Sequence, residues 1–271
     1  MKRTLVIAAF ALVGCSTHVL PASTPTPLTM PLRLYATTAA IPLMEDLIAR
    51  YVEIAPNVRF DTLTGDYEAM LRATLADTNA YLLACYLPAD SNLWAAPLGQ
   101  DGIAIITHPD TGLHELTSDQ LRRIYQGQII RWSELGGADI PLVVISREDG
   151  SGTRAAFDRL VMGERLTTLS AQVAPSSAAM LASVSQQPGS IGYVSMSYVD
   201  DGVRVLRIDG SDITADTMLD NTYPLRSTIY IVGSIEPQDE AYRHFIAWIQ
   251  SMDGQAVVGE QYTPLLRPER D

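Results

Sequence analysis

Lysine is almost absent from this chain: Lys2 is the only one, and the other eighteen basic residues are arginines. Because Lys2 stands at the amino terminus, the folded part of the chain has none. A Walker phosphate loop, a Schiff base and a Ser–Lys catalytic pair each need a lysine, so these chemistries are excluded. The chain also has 31 aspartates and glutamates and a formal charge of −12, which argues against nucleic acid as a partner.

Cysteine and histidine are equally scarce. The two cysteines are Cys15 and Cys85, and no disulfide is expected because Cys15 falls at a predicted processing site. The four histidines fit no metal-ligand spacing and are scattered along the chain: His18, His108, His114 and His244. We therefore expect neither a metal nor another cofactor, and core packing must stabilise the fold.

The amino terminus has the features of a leader peptide. A short basic region precedes an apolar stretch, Thr4 to Val13, that is too short to span a bilayer as a permanent helix. Leu12-Val-Gly-Cys15 resembles the processing site of bacterial lipoproteins, which implies that residues 1–14 are removed and that Cys15 carries a lipid anchor. An ordinary signal peptide with a chance cysteine is the alternative. Residues 15–30 are rich in Ser, Thr and Pro and are predicted to form an extended tether.

The most informative segment is an anion-binding turn predicted between a strand and a helix. The apolar run Leu142–Ser146 predicts the strand, and Arg154–Met162 predicts the helix. Between them lies Arg147-Glu-Asp-Gly-Ser-Gly-Thr153, which places hydroxyl groups beside the unpaired amides of a helix N-terminus. Arg147 adds a guanidinium suited to an oxyanion. Without this arginine, Gly-Ser-Gly-Thr would indicate no more than a helix cap and a turn.

This run resembles a signature of the phosphate-binding proteins of ABC importers, a branch of the type II periplasmic-binding-protein fold. Further segments resemble the same family in the expected order along the chain: Tyr35–Tyr51, Pro97–Pro109, Leu116–Gly127, Trp132–Leu135 and Gly189–Val194. The resemblance covers most of residues 31–271. It implies an α/β protein of two lobes that binds its ligand in the cleft between them.

The expected lobes follow from this resemblance and from an alternation of predicted strands and helices. Lobe one is assigned to residues 31–104 and 197–271, and lobe two to residues 105–196. Each lobe is expected to contain a mostly parallel sheet flanked by helices, and the protein is expected to be a monomer. Thr117 has Gln120 at the spacing of a helix capping box. Glu240–Met252 is predicted to form an amphipathic terminal helix.

The resemblance assigns ligand-binding roles to residues in three turns. They are Thr38 and Ala39 in the first turn, Thr64 in the second, and Arg147, Ser151, Gly152 and Thr153 in the anion turn. Asp149 is expected either to hold Arg147 through a salt bridge or to be a solvated turn residue.

The chain departs from the family where phosphate-specific members carry an aspartate that accepts the proton of hydrogen phosphate. The equivalent apolar stretch, Asn79–Pro88, offers Cys85 instead, and a thiol is a poor acceptor. The alternative is that Cys85 is simply a small core residue. Asp66 would supply the missing carboxylate if it turns inward. We therefore expect weaker discrimination between phosphate and sulfate, or discrimination through another residue.

The expected function is the capture of an inorganic oxyanion, with phosphate as first choice, and its delivery to the permease of an ABC importer. Sulfate, molybdate or a phosphonate is the alternative ligand, and a sensor or adhesion module without transport is the alternative role. A hydrolase with Ser151 as nucleophile is disfavoured, because the Gly-x-Ser-x-Gly elbow is missing and nothing places a histidine base nearby. We expect no catalysis, and a location outside the cytoplasmic membrane through the lipid on Cys15.

Overall fold

The computed structural model describes residues 31–265 of the chain. The predicted leader, the lipidated Cys15 and the tether lie outside the described residues. Within residues 31–265, no helix is both long and apolar enough to cross a membrane.

Strands and helices alternate along most of the described chain. The strands are β1 Leu32–Thr37, β2 Phe60–Gly65, β3 Ala80–Ala84, β4 Trp94–Thr107, β5 Glu115–Leu116, β6 Val143–Arg147, β7 Gln172–Ala174, β8 Ser190–Ser195, β9 Arg204–Val205, β10 Arg207–Ile208, β11 Arg226–Gly233 and β12 Thr263–Pro264. The α-helices are α1 Ile41–Ile54, α2 Tyr67–Leu75, α3 Ser118–Tyr125, α4 Gly152–Phe157, α5 Ser177–Gln186, α6 Ala215–Leu219, α7 Glu240–Ile249 and α8 Met252–Gln261. A π-helical turn, Asp158–Met162, continues α4.

One ten-stranded sheet runs through the molecule in the order β2-β1-β3-β11-β4-β8-β6-β7, with β9 and β12 paired to β4. At one end β1 is parallel to β2 and β3, and at the other β6 is parallel to β7 and β8. The 14-residue strand β4 joins the two ends, because it pairs antiparallel with β11 along its first part and with β8 along its second. This arrangement confirms the predicted two-lobed α/β fold.

The core of the first lobe lies where α1 and α7 pack together against the sheet. Leu43, Leu47 and Tyr51 are spaced four residues apart on α1, and all three are buried. Phe245 and Ile249, also four residues apart, bring the apolar face of α7 into the same cluster. The rings of Tyr51 and Phe245 lie 4.8 Å apart at a steep angle. The helical spacing of these apolar residues therefore determines which face of each helix is buried.

The core of the second lobe is built around aromatic side chains. Phe157 of α4 stacks on Tyr193 of β8 with ring centroids 4.1 Å apart, and Tyr125 of α3 lies 4.6 Å from Phe157. Trp132 is fully buried, and its indole N–H donates to the Gly189 carbonyl at 2.8 Å. This core supports the end of β6 and the start of α4, which flank the predicted anion turn.

Residues 203–225 pack with the second core, although the sequence assigned them to lobe one. Leu206 and Tyr223 are buried in that core, and strand β9 pairs with the second part of β4. The Leu206 amide donates to the Ile105 carbonyl at 2.9 Å, and the Tyr223 hydroxyl to the Ile103 carbonyl at 2.8 Å. The chain thus returns to the first lobe at β11, because these contacts hold the preceding segment on the second.

Candidate functional site

The anion turn lies between β6 and α4. Strand β6 ends at Arg147 and helix α4 begins at Gly152. Ser151 caps the helix, since its hydroxyl oxygen accepts the Arg154 amide N–H at 3.2 Å. The amides of Gly152 and Thr153 belong to the first turn, where no acceptor exists within the helix itself. They are therefore suited to an anion, as the sequence predicts.

The side chain of Arg147 is fully buried and contacts both lobes. Its Nη2 donates to Thr38 Oγ1 of the first lobe at 3.0 Å. Its Nη1 donates to Ser177 Oγ at 3.2 Å, and its Nε to the Ala174 carbonyl at 3.2 Å, both in the second lobe. A buried guanidinium is costly unless its donors are satisfied, so these contacts hold it in one position between the lobes.

Glu148 balances the charge of Arg147. The two carboxylate oxygens of Glu148 accept from Nε and Nη2, each at 2.8 Å, in a bidentate pair. Of the two roles expected for Asp149, the structure shows the exposed turn residue and not the salt bridge to Arg147: the Asp149 side chain is 94% exposed, and its carboxylate pairs with Arg154. The reason is that Glu148 already occupies one edge of the Arg147 guanidinium, while Arg154 reaches the outer side of the turn.

The first lobe meets this site through the short segment that follows β1. Thr38 comes directly after the strand, and its carbonyl accepts the hydroxyl of Tyr198 at 2.6 Å. The carbonyl of the buried Ala39 accepts the hydroxyl of Tyr262 at 2.8 Å. These two bonds fix the turn that presents the Thr38 hydroxyl to Arg147. The structure thus brings Thr38 together with Arg147 of the anion turn, whereas the hydrogen bond of Ala39 is to Tyr262 of the first lobe.

The second turn of the first lobe places Asp66 against the anion turn and Thr64 on the surface. Thr64 is exposed near the end of the edge strand β2, and in the part of the chain that is described it shares no hydrogen bond with Arg147. Asp66 caps α2 by accepting the Ala69 amide at 2.8 Å. A Cβ built on Gly150 would lie 2.8 Å from Asp66 Oδ1. The Asp66 carboxylate therefore faces the turn directly.

Ser177 belongs to the site but is not among the residues predicted from the sequence. It is the first residue of α5 and is fully buried, with its Oγ 3.5 Å from Thr38 Oγ1. A sequence signal for the helix start exists, because Ser176 precedes it and accepts the Ala179 amide as an N-cap. No local pattern, however, connects Ser177 with Arg147, which lies thirty residues earlier.

Cys85 is directed at Asp101 rather than at the anion turn. Both residues are buried, and Asp101 accepts the Ser195 hydroxyl at 2.7 Å as well as hydrogen bonds from Cys85 and from the Met196 amide. Burial raises the pKa of Asp101 to about 7, against the lowering effect of these hydrogen bonds. Burial also raises the pKa of the Cys85 thiol well above its usual value. Asp101 is a buried acid that the sequence analysis does not identify.

Two histidines of the second lobe have partners other than Ser151. His108 Nδ1 lies 2.7 Å from Asp110, and His114 Nε2 lies 3.0 Å from Arg204. Among residues 31–265, no group of three or more His, Cys, Asp or Glu could hold a metal ion. The site is thus a set of N–H and O–H donors around one guanidinium, an arrangement suited to holding an anion in place.

The sequence of this chain matches the model of a protein family and is similar to several known proteins. A family model described as the PBP superfamily domain matches residues 21–253. The chain is similar to the phosphate-binding protein PstS of Borreliella burgdorferi, with 24% identity over 243 residues that cover 83% of this chain and 86% of that protein. It is also similar to PstS of Bacillus subtilis, with 32% identity over 167 residues, which cover 60% of this chain and 55% of that protein.

Solved structures are similar over almost their whole length. One is a candidate phosphate ABC transporter substrate-binding protein from Clostridium perfringens with bound phosphate. It has a TM-score of 0.83 and 31% identity, and the match covers 88% of this chain and 100% of that one. Another is an ABC-type phosphate transport receptor from Vibrio cholerae, with a TM-score of 0.71, 26% identity, and coverage of 86% and 99%.

Proposed function

We propose that this chain, which belongs to the PBP superfamily, is an extracytoplasmic binding protein that captures phosphate for an ABC importer. The family model spans most of the chain, and similar proteins and structures named for phosphate binding and phosphate transport support this function. The family resemblance identified in the sequence is confirmed. The protein holds and releases its ligand, and no bond is made or broken.

The observation that carries the proposal is the fully buried Arg147 at the junction of the lobes. Its guanidinium donates to Thr38 of the first lobe and to Ser177 of the second, and Arg147 ends the strand that leads into the Ser151–Thr153 turn. A phosphate bound there would accept from the Nη edge of Arg147 and from the first amides of α4. Because the donors come from both lobes, an anion between them favours the closed arrangement.

Hydroxyl groups complete the donor set. The oxygens of Thr38 and Ser177 accept from Arg147, and because only one of the two hydroxyls can donate to the other across their 3.5 Å contact, at least one hydrogen remains available to an anion. Thr153 is buried at the start of α4 and brings a third hydroxyl to the turn. Such preorganised donors in a buried site bind an oxyanion without relying on the net charge of the protein.

The test is calorimetric titration of phosphate, sulfate, molybdate and a phosphonate into the wild type and an Arg147→Ala variant. Loss of charge-assisted donors from a buried site should weaken phosphate binding by at least about 2 kcal/mol. Thr38→Val removes one hydroxyl while keeping the shape of the side chain, and should cost about 1 kcal/mol. Arg123→Ala is the matched control, because Arg123 is an exposed arginine on α3.

Arg147→Ala leaves the Glu148 carboxylate without its partner, so a second variant is needed that keeps the charge balanced. Arg147→Gln combined with Glu148→Gln removes both charges together. Circular dichroism establishes that each variant is folded before titration. Unchanged phosphate affinity in the folded double variant would contradict the proposed site. Preference of the wild type for one of the other three anions would reassign the ligand.

We propose further that the protein is a monomer anchored outside the cytoplasmic membrane by a lipid on Cys15, from where it delivers its ligand to a permease. The sequence Leu12-Val-Gly-Cys15 supports this location. Wild type should fractionate with membranes and Cys15→Ala should not, because the acyl chains supply the membrane affinity. Cys85→Ala is the control that keeps Cys15. Membrane association of Cys15→Ala would argue against the anchor.

A further inference from the structure

A separate cavity of about 480 Å³ opens between the lobes, beside the crossing strands β4 and β11. One wall is the loop that follows β3, residues 85–89, and the others include Arg159, Arg226 and Tyr230. None of the donors around Arg147 that are described above lines it. This cavity is therefore a different space from the anion turn.

The charged residues that line the cavity are all positive. Arg159 and Arg226 line it, and no aspartate or glutamate does. The Arg226 Nε donates to the Tyr223 carbonyl at 2.7 Å, and its Nη1 donates to the Asn221 side chain, so the guanidinium is held in place. Within residues 31–265 neither arginine forms an ion pair. Two guanidinium groups without a counter-charge favour an anionic ligand.

The size and the walls of the cavity suit an organic molecule. Its volume falls within the range of about 300–1,000 Å³ that is typical of sites for small organic ligands. Tyr86, Leu87 and Pro88 form an apolar side that suits a carbon skeleton. On the other side, Thr228 shares the face of β11 with Arg226 and Tyr230 and offers a hydroxyl group. A single inorganic ion would leave most of this space to water.

We propose that this cavity is a second ligand site, for a small organic anion that carries at least two carboxylate or phosphate groups. Its arginines bind the charged groups, and the loop after β3 covers the carbon skeleton. Tyr86 stands between the cavity and the anion turn, since a Cβ built on Gly152 would lie 3.4 Å from the Tyr86 Cβ. The site does not depend on the ligand of the turn.

The test is calorimetric titration of citrate and of 3-phosphoglycerate, first without phosphate and then with saturating phosphate. Citrate tests carboxylate groups alone, and 3-phosphoglycerate tests a mixed anion. At least one of them should bind, and binding should persist when phosphate is saturating. Arg159→Gln should weaken that binding about tenfold or more, because a charge-assisted contact is lost. Arg159 is exposed and makes no ion pair, so this change leaves the fold intact.

Arg226→Gln is the second variant and should weaken the same binding, although it also loses the bonds to residues 221 and 223. Arg123→Gln is the matched control for Arg159→Gln, since it removes another exposed arginine of the second lobe that does not line the cavity. Both cavity variants should keep the phosphate affinity of the wild type. Failure of both probes to bind, full competition by phosphate, or equal effects of Arg123→Gln and Arg159→Gln would overturn the proposal.

Discussion

Replacing Asp101 by asparagine should change how the stability of the protein depends on pH. Asp101 lies on β4, where the chain crosses between the lobes, and it is almost completely buried. Its pKa is raised to about 7 by burial, from an ordinary value of 3.8. The folded protein therefore keeps this proton up to about pH 7, whereas the unfolded chain loses it near pH 4.

The direction in which stability changes with pH follows from this difference in bound protons. Between about pH 4 and pH 7 the folded state binds more protons at this group than the unfolded state, so stability falls as pH rises. A pKa of about 7 instead of 3.8 corresponds to about 4 kcal/mol of destabilisation well above pH 7. Between pH 5 and pH 8 the ionisation of Asp101 lowers the free energy of unfolding by about 3 kcal/mol. Asparagine does not ionise, so it removes this loss while it keeps an acceptor for Ser195.

The assay is urea unfolding of wild type and Asp101→Asn at pH 5, 6, 7 and 8. The difference in unfolding free energy between the two proteins should shift in favour of the variant by about 3 kcal/mol from pH 5 to pH 8. Because the two proteins are compared at the same pH, the contributions of the other carboxylates to their unfolding free energies cancel. Asp90→Asn, at an exposed position, is the control and should run parallel to wild type. Parallel profiles for Asp101→Asn would refute the reasoning.

Two further predictions concern selectivity and stability. Asp66→Asn should keep the cap of α2, because asparagine caps a helix as well as aspartate does. As the acceptor of the phosphate proton, the Asp66 carboxylate would favour phosphate over sulfate, so its loss should lower the ratio of phosphate to sulfate affinity about tenfold or more. An unchanged ratio in calorimetry would exclude this role. Phe157→Ala should cost about 3–5 kcal/mol in urea unfolding, because it removes a buried ring stacked on Tyr193. The exposed Leu169→Ala should cost less than about 0.5 kcal/mol, and equal losses in both variants would contradict the packing argument.

Local signals predict the parts of this fold that depend on neighbouring residues. Thr117 and Gln120 exchange the two bonds of the predicted capping box, at 3.1 and 2.8 Å. The predicted terminal helix from Glu240 to Met252 instead ends at Ile249, because Ser251 starts a new helix by capping the Gly254 amide. The periodicity of the apolar residues correctly predicts a helix here. It does not show where the helix ends, because that boundary is marked by a serine cap within the pattern.

The features that the sequence misses depend on residues far apart in the chain. Ser177 reaches Arg147 only because β7 and α5 fold back beside β6. Glu148 rather than Asp149 pairs with Arg147, and the choice between two adjacent acids depends on the direction of the turn. Asp101 appears as a single acid before an apolar stretch, and only the packed structure shows how deeply it is buried. Pairings of this kind are set by tertiary packing and leave no periodic pattern.

The acidic composition of the chain and its anion site are compatible because charge is balanced locally. The buried Arg147 is paired with the partly exposed Glu148, so the charge of the guanidinium is balanced before a ligand enters. Attraction for phosphate must then come from oriented N–H and O–H groups, whose effect is short-ranged and little changed by distant carboxylates. The cavity beside β11 is different, because its two arginines have no carboxylate in the lining. The same molecule thus has one anion site based on hydrogen-bond donors and, in our proposal, another based on unbalanced charge.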